Sequence, residues 1–89
     1  MRRAAKVDAN QTEIVDALRR VGASVQPLHM VGQGCPDLLV GYFDRNFLLE
    51  CKVGKGKLTD DQKTWHGDWR GQAFIVRSPE EALAVIGAV

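Results

Sequence analysis

The chain has 89 residues, enough for one domain spanning 1–89 with a modest core and no accessory domain, because small domains bury a smaller share of their surface than large ones. Apolar residues at 45% and charged residues at 26% are the proportions of an ordinary globular protein and exclude a disordered or low-complexity chain. A net charge of +1 provides no overall field for a polyanion, so any attraction for nucleic acid has to come from local clusters of lysine and arginine.

Met1-Arg2-Arg3 is followed by no continuous apolar stretch, so neither a secretory signal nor a membrane-spanning helix is expected, and the sequence predicts an intracellular protein. In a reducing compartment Cys35 and Cys51 read as small packing residues, and the further ligands at zinc spacing that a thiolate site needs are absent. Residues 10–21 predict the first helix, with Ile14, Val15, Leu18 and Val21 at helical spacing and Gly22 at the stop position. Asn10-Gln11-Thr12-Glu13 has the form of a capping box with Asn10 as N-cap, which would account for Glu13 by helix chemistry alone. Residues 23–28 predict a strand, ended by Gly32-Gln33-Gly34, and His29 at that junction reads as a structural or surface residue. Those glycines are no phosphate cradle, because a strand and not a helix follows; they read as positions where backbone or substrate passes close to Asp37.

Residues 37–42 and 47–52 are two short runs of Leu, Val and aromatics around a polar break at Asp44-Arg45-Asn46, the pattern of a β-hairpin. Alternation puts Leu48, Glu50 and Lys52 on one face and Phe47, Leu49 and Cys51 on the other. With Asp44 and Arg45 as the central turn residues, Asp37 falls opposite Lys52 and Leu39 opposite Glu50, so Asp37 and Glu50 are diagonal neighbours about 7–8 Å apart. A three-residue turn with a bulge at Asn46 is the alternative, compatible only if the bulge restores parity. Two carboxylates and an ammonium on one face have two readings. One is a salt bridge from Lys52 to Asp37 or Glu50; the other is phosphodiester chemistry, with hard oxygen ligands for Mg²⁺ beside a cation that meets charge developing on phosphate.

Lys55 and Lys57 extend the positive charge of Lys52 into a glycine-rich, flexible loop, where they read either as phosphate contacts or as solubilising surface charge. Thr59-Asp60-Asp61-Gln62 is a capping box that opens the next helix, and Trp65 and Trp69, four apart, read as core rather than base-stacking residues. Residues 72–77 predict a buried strand, and Ser78 with Pro79 and Glu81 opens a last helix that packs through Ala82, Leu83, Val85 and Ile86.

Pro36-Asp37 followed by Glu50-Cys51-Lys52 resembles the PD-(D/E)XK nuclease signature, a weak pattern by itself. The surrounding order makes it more specific: Gly32-x-Gly34-x-Pro36-Asp37-Leu38-Leu39, Glu50-x-Lys52, Leu58-Thr59-x-x-Gln62-x-x-Trp65-His66, Ser78-x-Glu80-Glu81-Ala82-Leu83. Together these resemble the VRR-NUC (virus-type replication-repair nuclease) branch over nearly all of the chain past about residue 30. The resemblance implies an α/β fold with an αβββαβ core, a mixed four-stranded sheet and, here, an added C-terminal helix. It implies a Mg²⁺- or Mn²⁺-dependent endonuclease acting on DNA, with Asp37 and Glu50 as ligands, joined by the Cys51 backbone carbonyl and by Glu13 from the first helix. Lys52 and Gln62 would act on the attacking water and the phosphate. The capping box is a second explanation of Gln62, and the resemblance favours the functional one. The likeness extends to Holliday junction resolvases, which implies a homodimer on branched DNA and a phage or repair setting. A non-catalytic DNA-binding or scaffold module on the same fold is the rival from another class; loss of Asp37, Glu50 or Lys52 would have favoured it, and all three are present.

Overall fold

The computed structural model describes residues 9–88; the opening Met1-Arg2-Arg3 lies outside them. Three helices, α1 (Gln11–Arg20), α2 (Asp60–Asp68) and α3 (Pro79–Ile86), accompany four strands, β1 (Ser24–Pro27), β2 (Leu38–Tyr42), β3 (Arg45–Cys51) and β4 (Phe74–Val76). The strands form one mixed sheet in the order β1-β2-β3-β4, antiparallel except for the last pair, where α2 lies in the crossover between parallel β3 and β4. No helix among the described residues is long and apolar enough to cross a membrane.

Alternation decides what each sheet face does. Leu38 and Val40 on β2, Phe47, Leu49 and Cys51 on β3, and Val76 on β4 are buried on one face beneath Ile14, Val15 and Leu18 of α1 and Ala82 and Ile86 of α3. Both cysteines are free thiols, and Cys51 is part of this core. The other face carries Gln26, Leu39, Leu48, Glu50 and Ile75, and there burial is uneven: Leu39 is 38% exposed whereas Glu50 is 1% exposed.

The hairpin register differs from the expected one by two residues. Tyr42 pairs with Arg45, so Phe43 and Asp44 are the central turn residues, both with positive φ (49° and 64°), as a type I′ turn requires. Because the slip is even, the faces assigned from sequence survive, but the partners change. Leu38 pairs with Leu49, and continuing the ladder by one residue sets Asp37 directly opposite Glu50 instead of diagonal to it. A bulky Phe in the left-handed region runs against ordinary turn chemistry, which favours Asn and Gly there.

Four further expectations need correction. Asn10 precedes α1 but makes no side-chain cap; its Nδ2 donates instead to the carbonyls of Lys52 and Arg77, 3.0 Å each, tying the helix start to the ends of β3 and β4. Helix α2 has no buried residue, so Trp65 and Trp69 are not core: Trp69 is 46% exposed and stacks on Trp65 with ring centroids 4.6 Å apart. The segment 53–57 is also no loose loop, because Arg77 Nη1 donates to the carbonyls of Gly54 and Gly56, 2.8 Å each. The last strand is shorter than 72–77, and its Ile75 is exposed on the face that α1 and α3 leave open.

Candidate functional site

The site forms where the uncovered sheet face meets α2. Glu50 ends the apolar run of β3, and its Oε2 accepts a hydrogen bond from Gln62 Nε2 (3.1 Å) while lying 3.8 Å from Lys52 Nζ. Lys52, one alternation further on, is only 8% exposed, so both charges of the pair are withdrawn from bulk water. Asp37, the residue before β2, accepts the Cys51 backbone N–H on Oδ2 at 2.7 Å, and its own carbonyl accepts from the Leu28 N–H at 2.7 Å. The Cys51 bond crosses to β3 and fixes the Asp37 carboxylate at the backbone between Glu50 and Lys52. A charge-assisted bond of this kind is stronger than a neutral one.

Gln62 reaches Glu50 because two local devices aim it. Its side-chain oxygen accepts the Thr59 N–H (2.9 Å) and its own N–H donates to Thr59 Oγ1 (3.2 Å), so the capping box is complete. The two explanations weighed for this residue therefore coexist: Oε1 caps the helix and Nε2 faces the acidic centre. The second device is Gly34, whose φ is +80°. A Cβ placed there would lie 2.2 Å from the Asp61 carbonyl oxygen, so only glycine lets the loop before Asp37 pack against the first turn of α2. The backbone that passes close by is that of α2. Between this loop and the helix, His29, Cys35, Asp37 and Gln62 line a cavity of about 200 Å³.

Electrostatics in this region follow from the same neighbours. Burial, followed by the negative charges of Glu50 and Asp37, pushes the Cys35 thiol above its usual range, so this cysteine is a poor nucleophile. His66, one helical turn beyond Gln62, is held below its usual value of 6.5 by burial and then by the Lys52 ammonium. Its ring packs edge-on against Trp65, and its Nε2 is buried with no hydrogen-bond partner among the described residues. The spacing Gln62 to His66 is i,i+4, a signal that could have marked His66 as sharing the site-facing side of α2.

Of the residues singled out from sequence, Asp37, Glu50, Lys52 and Gln62 come together. Glu13 does not join them: it is exposed on α1, and the described residues include no group of three His, Cys, Asp or Glu side chains gathered as for a metal. Lys55 and Lys57 are exposed on the loop that Arg77 holds beside Lys52. Asn10 and Arg77 were not foreseen as supports of this region, and no local motif marks them, because each acts across a long separation in sequence.

No family model, curated protein or solved structure matches the chain.

Proposed function

We propose that the protein is a metal-dependent endonuclease of the PD-(D/E)XK type, hydrolysing DNA phosphodiester bonds at Asp37, Glu50, Lys52 and Gln62, with a preference for branched DNA and a homodimeric assembly. The observation that carries this reading is the buried Glu50 carboxylate, opposed by Asp37 on the next strand and contacted by both Lys52 and Gln62. The order α1-β1-β2-β3-α2-β4 supports it as well, since it follows the αβββαβ pattern of the resembled superfamily.

The donor set fits Mg²⁺ or Mn²⁺. Asp37, Glu50 and the Cys51 carbonyl offer hard oxygens only, and Mg²⁺ takes one or two carboxylates and keeps several waters, so a third side-chain ligand is not required. When bound, such an ion supplies positive charge against the phosphate and makes water more acidic. The chain's own groups do the rest. Lys52 holds its ammonium beside Glu50, where it can steady the attacking water and meet the charge that accumulates on the phosphate oxygens. Gln62 Nε2 keeps the Glu50 carboxylate from turning away. In the reaction a water oxygen bonds to phosphorus and gives up a proton to solvent, one phosphorus–oxygen ester bond breaks, and the departing oxygen takes a proton from solvent. Lys55 and Lys57, exposed beside Lys52, would hold flanking phosphates without reading sequence.

The Lys52–Glu50 contact alone also fits a second reading, a structural ion pair in a non-catalytic DNA-binding or scaffold module. Incubation with linear duplex, single-stranded, flap and four-way-junction DNA, with Mn²⁺, Mg²⁺ or chelator, separates the two. The nuclease reading expects metal-dependent cleavage by the parent and none by Lys52→Ala, with DNA binding retained by both, because the lysine acts on charge that appears only during reaction. Binding without cleavage on every substrate leaves the scaffold reading.

A further inference from the structure

On the same sheet face as Glu50, a hollow of about 450 Å³ lies between β2, β3 and the end of α2, lined by Leu39, Asn46, Phe47, Leu48, Trp69 and Gln72 among others. Leu48 is two residues from Glu50 on β3, so the hollow begins about 7 Å along the strand from the carboxylate. Its floor is leucine, from Leu39 and Leu48, and its wall is an indole. Trp65 stacks on one face of the indole, and the chain turns so tightly beside it at Gly71 that a Cβ there would lie 2.9 Å from Trp69 Nε1. The two polar side chains, the amides of Asn46 and Gln72, have no hydrogen-bond partner among the described residues, so their donors and acceptors remain open to a ligand.

We infer that this hollow takes an unpaired nucleobase of the nucleic acid whose backbone lies at Glu50 and Lys52. An apolar floor, one exposed aromatic face and two uncommitted amides are the chemistry that receives a base, with stacking on its π-face and hydrogen bonds to its edge. Charge selects this hollow over its neighbour across Trp69. That second cavity, about 330 Å³, is flanked by Asp61 and Asp68, which repel a phosphate backbone, whereas no acidic side chain lines the hollow beside Leu48. The inference rests on the proposed nuclease reading and narrows it: the substrate presents an unstacked nucleotide next to the scissile phosphate, as a flap, a gap or a junction does and a continuous duplex does not.

Trp65→Phe leaves Trp69 as the single indole, so its fluorescence reports on the hollow. Titration in chelator with short single-stranded oligonucleotides, DNA and RNA, should quench that emission, and an abasic oligonucleotide of equal length should not. Trp69→Ala and the double variant Asn46→Ala/Gln72→Ala should each bind the single strand about tenfold more weakly than the parent or worse while keeping the same affinity for continuous duplex. Equal binding of the abasic oligonucleotide overturns the inference, as does a Trp69→Ala protein that is folded by circular dichroism and binds single strands normally. So does dissociation of a dimer by Trp69→Ala, which would make the hollow a subunit contact. The two readings fail separately: quenching that depends on the base, with no cleavage by the Trp65→Phe protein in Mn²⁺, sinks the nuclease and keeps the pocket. Metal-dependent cleavage indifferent to Trp69 does the reverse.

Discussion

Glu50 and Asp37 are both carboxylates beside Lys52, yet the contacts around them differ enough that their amide variants should behave differently. The Lys52 ammonium lies on Glu50, at 3.8 Å, and Asp37 is occupied by the Cys51 N–H. Asp37→Asn preserves an oxygen for that N–H and relieves repulsion across the two strands, so its metal-free melting should stay within about 1 kcal/mol of the parent. Glu50→Gln leaves a nearly buried ammonium without its counter-charge and should cost about 1–3 kcal/mol, less than a fully desolvated pair because Lys52 keeps some contact with water. Both should lose any stabilisation that the parent gains from millimolar Mn²⁺. Melting curves in chelator and in Mn²⁺ decide this; a parent indifferent to metal removes the cation from the site.

His66 makes a prediction in pH. Its imidazole is harder to protonate in the fold than in the unfolded chain, so the unfolded chain binds the extra proton first as pH falls below the usual value of 6.5. Its contribution to stability is therefore full above that value and is lost as pH drops through the folded value. His66→Gln should flatten the decline in denaturation midpoint on going from about pH 7.5 to pH 5, and an unchanged slope would show that other groups carry it.

At the scale of elements, the contact between the Gly34 loop and the start of α2 is the most sensitive joint near the site. Gly34→Ala adds a methyl into the Asp61 carbonyl as well as the penalty of a positive φ, whereas Gly54→Ala, at φ +54° with nothing within 4 Å, incurs only the latter. Urea titration should find Gly54→Ala about 1 kcal/mol less stable than the parent and Gly34→Ala clearly worse, with equal losses arguing that α2 simply moves away. The same elements show how far the chain could be read by pattern. Element order, the polar face of β3 and the Thr59 cap follow from alternation and local hydrogen bonding, which act over a few residues. The hairpin register came out two residues off because Phe43 adopts a left-handed backbone region that favours smaller residues, with its exposed ring stacked on neighbouring Tyr42, and no turn signal marks a Phe for that place. Asn10 was misread as a cap because its partners are 42 and 67 residues away, beyond the reach of any local pattern. The shallow seating of α2 was hidden too, since two tryptophans four apart look alike whether they face a core or a groove.

The whole molecule is small, with a Cα radius of gyration of 12.5 Å, and it has one covered and one open sheet face. A single copy has one candidate site, and cutting both strands of a branched duplex calls for two, so light scattering at micromolar concentration should give the mass of a dimer; a monomer there, with junction cleavage intact, would require two independent encounters. The side chain of Asn10 has a consequence in time. It closes on the carbonyls of Lys52 and Arg77 together, and Arg77 in turn holds the loop that follows Lys52. During synthesis the hairpin bearing Asp37 and Glu50 leaves the ribosome early, but β4 and Arg77 emerge some twenty-five residues after Lys52, and until then both carbonyls cannot be gathered. Long-range closures of this kind are slow compared with hairpin formation. A nascent chain thus carries its acidic residues while the strand end at Lys52 and the loop after it are still untied, and those ties close only when its far end arrives.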